Sequence, residues 1–136
     1  GLMPPCSTYH RFAVGMTGDK MSSSKPESTI FMDDEIESME RKVKRAISGG
    51  QPTVEEHRRL GGDVSKDVAY QYLQFFFEND DTALAEVKSE YESGRMLAGE
   101  VKQICIDRAT DWLIDLKQKR DQMEDAVAEF LAPDAI

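Results

Sequence analysis

The chain has 136 residues, 40% hydrophobic and 32% charged, a globular composition long enough for one domain, or one domain and part of another, without disulfide or metal support. Lys and Arg number 17 against 26 Asp and Glu, a net charge of −9, which taken alone argues against a phosphate-binding surface. No apolar run approaches the roughly 20 residues of a membrane span, and Pro4, Pro5 and Cys6 interrupt the apolar start that a signal peptide needs, so a soluble, cytoplasmic protein is expected.

Residues 1–32 hold Pro4, Pro5, Pro26, Gly1, Gly15, Gly18 and the run Ser22–Ser24 with no helical period, and read as extended chain and loop too short to close a core. From Asp33 the pattern turns helical. Asp33 or Asp34 caps a helix through Ile36, Met39, Val43, Ala46 and Ile47 that ends at Gly49 and Gly50. Thr53 with Glu56 forms a capping box for a short helix stopping at Gly61 and Gly62. Ser65 caps a third helix into Leu73 and Phe75, Phe76 and Phe77. A fourth, with Leu84, Val87 and Tyr91, ends at Gly94. The last is long: Leu97, Val101, Ile104, Cys105, Trp112, Leu113, Leu116, Met123, Val127, Phe130 and Leu131 keep one stripe, with Lys117, Lys119, Arg120, Asp121 and Glu124 opposite. Its charges do not sustain a coiled-coil pattern, so it reads as a core-facing bundle helix. The fold class is mainly α, a helical bundle over 33–136 behind a loop-rich segment.

Cys6 and Cys105 lie far apart without paired Cys/His spacing, so no disulfide framework or metal site is indicated; Cys105 reads as a small buried hydrophobe. His10 and His57 stand alone and read as structural or solvated. Basic residues cluster at Arg41, Lys42, Lys44 and Arg45, and again at Arg58 and Arg59, which softens the acidic balance. The acid excess would also suit a salt-rich cytoplasm, where screening shortens to about 3 Å at 1 M salt; equal stability and solubility at low and multimolar salt would contradict that.

The chemistry concentrates in Gly18-Asp19-Lys20-Met21-Ser22-Ser23-Ser24-Lys25-Pro26-Glu27-Ser28. A mobile ammonium followed by closely spaced hydroxyls and backbone N–H groups suits polyphosphate. A flexible serine-rich linker has the same composition, and the residues alone leave both readings open.

Lys20-Met21-Ser22-Ser23-Ser24 resembles the signature loop of class I aminoacyl-tRNA synthetases, and its continuation Lys25-Pro26-Glu27-Ser28-Thr29-Ile30-Phe31 resembles the extension found in tryptophanyl-tRNA synthetases of archaeal and eukaryotic type. Ser48-Gly49-Gly50-Gln51-Pro52-Thr53-Val54-Glu55-Glu56-His57-Arg58 and Ser93-Gly94-Arg95-Met96-Leu97-Ala98-Gly99-Glu100-Val101-Lys102 are similar to two further segments of that family, in the same order. The resemblance covers the chain from about residue 8 to its end.

The resemblance implies that residues 1–32 are the C-terminal remnant of a Rossmann-type catalytic domain, and residues 33–136 the helical anticodon-binding domain. It implies a ligase that activates tryptophan with ATP and Mg2+ and charges tRNA(Trp), homodimeric at full length. Lys20 would be catalytic and grip the β- and γ-phosphates, with Met21, Ser22, Ser23, Ser24 and Lys25 completing the ATP site. Ser23 stands where many such loops carry a second lysine, and Lys25 is the nearest substitute. Gln51, Thr53, Arg58 and Arg59 are the candidates for tRNA contact, although Thr53 also reads as a cap and Gln51 as turn filler. Gly99 and Glu100 read as a helix start that allows close packing. The family's His-x-Gly-His-type motif and tryptophan pocket lie outside these residues, so the segment is expected to be inactive alone, with no tightly bound cofactor. The alternative is a non-catalytic helical module, derived from a synthetase, that binds tRNA or protein.

Overall fold

The computed structural model describes residues 6–8 and 12–123. The expectations for Pro4, Pro5 and His10, and for the last helix beyond Met123 through Glu124, Val127, Phe130 and Leu131, lie outside these residues. The described residues form no strand. In order come α1 (Ile36–Arg45), α2 (Val54–Leu60), α3 (Val68–Tyr72), α4 (Asp81–Glu92) and α5 (Ala98–Gln122). A single 3-10 turn, Pro26–Ser28, interrupts the loop ahead of α1, and a π-turn, Leu73–Phe77, extends α3.

The long helix organises the rest. Val101, Cys105, Ala109 and Leu113 of α5 are fully buried, at spacings of four, and meet Met39 and Val43 of α1 and Val68, Ala69 and Leu73 of the α3 region. Burying each of the larger aliphatic side chains contributes about 1.5–3 kcal/mol. The expected stripe holds for Val101, Cys105 and Leu113. Trp112 departs from it: it is 38% exposed and lies edge-on to Phe77, ring centroids 6.0 Å apart. A residue directly beside Leu113 falls about 100° round the helix, at the margin of the stripe.

Helix starts follow side-chain acceptors, and two differ from expectation. Asp34 does not cap α1; its Oδ2 accepts from the Phe31 N–H (2.9 Å) and from Lys42 Nζ (2.6 Å), and the cap position falls to Glu35, which makes no side-chain cap bond. Lys42 is therefore buried at 2% exposure, beside the Phe31 ring at 4.8 Å. α1 also stops at Arg45, before Gly49: Lys102 of α5 donates to the carbonyls of Lys44 (2.9 Å) and Ala46 (2.6 Å), satisfying groups that the helix end leaves open. Ile47 is consequently half exposed. Asp67, not Ser65, caps α3, accepting from the Tyr70 N–H at 3.0 Å. Ser65 is held instead by Asp63, whose carboxyl is lowered to about 2, first by the Ser65 hydroxyl and then by Lys66. Thr53 caps α2, its hydroxyl accepting from the Glu56 N–H at 3.2 Å, while the Glu56 carboxylate accepts from that hydroxyl at 3.1 Å rather than from the Thr53 N–H, and α2 ends at Gly61. There φ is +74°, and a Cβ would lie 1.8 Å from the Glu92 carbonyl oxygen, so only glycine fits.

Asp67 is the polar centre of this core. Fully buried, it accepts from the Gly49 N–H (3.0 Å) and the Tyr91 hydroxyl (2.8 Å) besides Tyr70. One carboxylate thus joins the segment after α1, the start of α3 and the end of α4.

Candidate functional site

The lysine–serine loop is built from short backbone closures. Gly15 N–H donates to the Asp19 carbonyl (2.7 Å) and Gly18 N–H to the Gly15 carbonyl (2.8 Å); Gly18 has φ +83°, a left-handed turn that favours glycine. Met16, which is buried, fixes the base: its N–H donates to the Ser28 carbonyl (3.0 Å) and its carbonyl accepts from the Ile47 N–H (3.1 Å). Met16 and Ser28 are thereby part of the same packed body as the helices.

Ser28 closes the loop from within. Its side chain accepts from the Ser22 N–H (3.1 Å) and donates to the Lys25 carbonyl (2.7 Å), and it is 1% exposed. The Lys25 N–H returns to the Ser22 carbonyl at 3.0 Å, making a turn of Ser22–Lys25. Glu27, at the far side of this turn, pairs with Arg41 (3.1 Å) and lies 3.9 Å from Arg45. Sequence reasoning passed over Ser28, which stands inside the quoted motif but has the same letter as three neighbours; only its burial sets it apart.

Held in this way, the loop turns its cations outward. Lys20, Ser23, Ser24 and Lys25 are exposed, and Met21 and Ser22 are half-buried. Neither Lys20 nor Lys25 is ion-paired to a described residue, while Ser22 and Ser24 share a hydrogen bond at 2.8 Å. The arrangement leaves two ammonium groups and a row of hydroxyls available to an anion. The Met21 sulfur accepts from the Tyr72 hydroxyl at 3.3 Å, a link to α3 that no sequence signal announced.

The second candidate region is divided by the structure. Gln51 and Thr53 line one groove of about 250 Å³ with Ser48, Gly50, Pro52 and the start of α5 at Leu97, Ala98 and Gly99. Gln51 is more than filler: Nε2 donates to the Gly61 carbonyl at 3.1 Å, and its N–H to His57 Nδ1 at 3.4 Å. His57 is buried against the Tyr91 ring and donates from Nε2 to the Met96 carbonyl at 2.8 Å; those partners fix the Nε2–H tautomer. His57 is thus structural, as a lone histidine suggested. Arg58 turns away, donating to the carbonyls of Gly94 (2.9 Å) and Arg95. Arg59 is exposed and makes no ion pair with a described residue.

Glu100 starts α5 as expected, accepting from the Leu97 N–H at 2.7 Å. The packing role of Gly99 does not hold: a Cβ there would meet nothing within 4 Å. The first basic cluster is largely neutralised, with Lys42 on Asp34, Lys44 on Glu40 and Arg41 on Glu27. Among the described residues no group of three His, Cys, Asp or Glu is placed to hold a metal, and no helix is long and apolar enough to cross a membrane. Cys105 is buried and its thiol pushed up to about 12 by that burial; Cys6 is exposed.

The family model for tRNA synthetases class I (W and Y) matches residues 1–113. The tryptophan–tRNA ligase of Saccharolobus solfataricus is 42% identical over 133 residues, covering 96% of this chain and 35% of the relative. The cytoplasmic tryptophan–tRNA ligase of Rattus norvegicus is 44% identical over 137 residues, covering 98% and 28%. The crystal structure of tryptophanyl-tRNA synthetase from Aeropyrum pernix K1 superposes with a TM-score of 0.81 at 35% identity, over 84% of this chain and 31% of that one. The Giardia lamblia enzyme gives 0.80 at 37% identity, over 88% and 30%. The chain spans about a third of the length of the curated relatives it matches. With its loop and helices in the order these relatives share, the chain belongs to the class I tRNA synthetases of the tryptophan and tyrosine type, on the tryptophanyl side of that family.

Proposed function

We propose that this chain is the C-terminal part of a tryptophan–tRNA ligase, with residues 1–32 completing its class I catalytic domain and residues 33–136 forming its anticodon-binding domain. The observation that carries the reading is the lysine–serine loop: pinned internally by Ser28 and at its base by Met16, it leaves Lys20 and Lys25 exposed without an acidic partner among the described residues.

In the proposed reaction the tryptophan carboxylate attacks the α-phosphate of ATP, the bond to the β-phosphate breaks, and pyrophosphate leaves. The aminoacyl group then passes to the terminal ribose of tRNA(Trp), releasing AMP. Negative charge grows on the leaving pyrophosphate, so cations held ready there lower the barrier most. Lys20 takes that position on the β- and γ-phosphates, and Ser22, Ser23 and Ser24 donate to phosphate oxygens as the loop closes. Lys25 supplies the second charge that Ser23 does not. Met21 offers backbone contacts at the adenine. Mg2+ would enter with ATP as the counter-ion of its phosphates. Gln51 and Thr53 meet tRNA at the groove beside α5, and the exposed Arg59 meets a phosphate outside that groove, while Arg58 is spent on the Gly94 and Arg95 carbonyls. The working enzyme is a cytoplasmic homodimer.

Tryptophan-dependent ATP–pyrophosphate exchange tests this. The full-length protein should exchange, this chain alone should not, and Lys20→Ala at full length should slow adenylate formation about 10²–10³-fold. An unchanged rate in Lys20→Ala would refute the loop assignment.

A further inference from the structure

The lysine–serine loop meets the helices at Met21, and the contact is chemically odd. Tyr72 is 3% exposed, and its hydroxyl donates to Met21 Sδ at 3.3 Å. A thioether is a weak acceptor, and a buried hydroxyl without a strong one costs free energy. Phenylalanine would fill the same space: the Tyr72 ring packs edge-on to Phe76 at 5.3 Å and against Phe77 at 6.4 Å. The hydroxyl therefore adds nothing to packing and something to the loop. Burial pushes the phenol up to about 12, so it remains a donor throughout the physiological range.

The surroundings make Tyr72 a firm support. It ends α3 where the backbone passes into the π-turn, closed by the Glu78 N–H on the Leu73 carbonyl at 2.9 Å; such turns recur at functional sites. Phe77 carries the contact on to Trp112 of α5 at 6.0 Å. Met21, Phe31, Tyr72, Phe76 and Trp112 share an apolar groove of about 380 Å³. Met21 alone of Lys20–Lys25 enters it, whereas Lys20 before it is exposed, as are Ser23, Ser24 and Lys25 beyond the half-buried Ser22.

We propose that Tyr72 is a positioning residue for nucleotide binding, its hydroxyl holding the Met21 side chain as the pivot about which Lys20 and the serines close on phosphate. The proposal rests on the reading of this loop as the ATP grip. With the pivot fixed, closure orders only the exposed part of the loop; without it, the ordering falls on the binding step and weakens ATP specifically.

The test is ATP–pyrophosphate exchange by the full-length enzyme that contains this chain. Tyr72→Phe, which keeps the ring, should raise the KM for ATP about two- to tenfold, the range expected for one neutral hydrogen bond, and leave the KM for tryptophan unchanged. Met21→Leu, which keeps the apolar anchor but cannot accept, should give the same rise, and the double variant no more than either alone. An unchanged ATP KM in Tyr72→Phe, or single effects that multiply in the double variant, would overturn the tether. Should Tyr72→Phe fail to fold, Met21→Leu decides alone, an unchanged ATP KM again overturning it. Lys20→Ala separates the two levels: loss of exchange there with a silent Tyr72→Phe removes the tether only, and no loss in Lys20→Ala takes down the loop reading and the tether with it.

Discussion

Tyr91 donates its phenolic hydroxyl to Asp67 Oδ2 at 2.8 Å, and both residues are fully buried. Because Asp67 also accepts from Gly49 and Tyr70, the pair joins three segments far apart in sequence. Tyr91→Phe removes one donor from a buried acid and should lower the unfolding free energy by about 1.5–3 kcal/mol. Asp67→Ala strands all three donors and should cost more. Urea denaturation measures both, and an unaltered midpoint in Tyr91→Phe would show the bond to be dispensable.

Alkaline pH should weaken the same core. Burial first, and Asp67 second, hold the Tyr91 phenol above its ordinary 10.0. Burial raises Tyr72 from 10.0 to about 12 and Cys105 from 9.0 to about 12. The folded state keeps these protons while the unfolded chain gives them up, so stability is full below pH 9 and falls as pH rises towards 12. The urea midpoint should fall above pH 9. At pH 8 a thiol reagent should modify Cys6 quickly and Cys105 only on unfolding.

Lys42 tests a different buried charge. Its ammonium lies 2.6 Å from Asp34 Oδ2 at 2% exposure. Lys42→Ala should cost about 3–5 kcal/mol, because it leaves the carboxylate without its cation. Lys42→Met combined with Asp34→Asn keeps the apolar stem and the acceptor for the Phe31 N–H, and should recover most of that loss. A double variant as unstable as Lys42→Ala would mean that the lost charge is not what destabilises.

Lys42 also marks the limit of what was legible beforehand. The number and order of the helices, the Thr53 cap and the stop at Gly61 followed from local chemistry, because capping and periodicity act within a turn or two. The caps of α1 and α3 did not follow. Asp34 and Ser65 had the right chemistry in the right place, but Lys42 and Asp63 competed for them, and that competition exists only after the chain has folded. The loop was recognised by its motif, yet its supports, Ser28 and Tyr72, are ordinary residues given meaning by burial. A net charge of −9 likewise says nothing of which cations are already spent on internal partners.

That distinction separates Arg58 from Arg59. Arg58 is bonded to the carbonyls of Gly94 and Arg95, so Arg58→Ala should destabilise the α2–α4 junction by about 1.5–3 kcal/mol. It should leave the salt dependence of tRNA binding by the full-length enzyme unaltered. Arg59→Ala should barely affect stability, yet reduce the slope of log K against log salt by about 0.7–0.9, one phosphate contact. Equal slopes in both variants would remove Arg59 from the proposed interface.

Gly99 gives the sharpest division between fold and recognition. It is the second residue of α5, and a Cβ there would meet nothing within 4 Å. Glycine in a helix costs about 0.5–1 kcal/mol relative to alanine, so Gly99→Ala should make the protein more stable by roughly that amount. No described residue explains why the more stable residue is absent. The residue does line the groove with Gln51 and Thr53, and a methyl group there would occupy space that the proposed function gives to tRNA. Gly99→Ala should therefore raise the urea midpoint and weaken tRNA(Trp) binding by the full-length enzyme about tenfold, a cost of about 1.4 kcal/mol. Higher stability with undiminished affinity would place the tRNA contact elsewhere on the helical bundle.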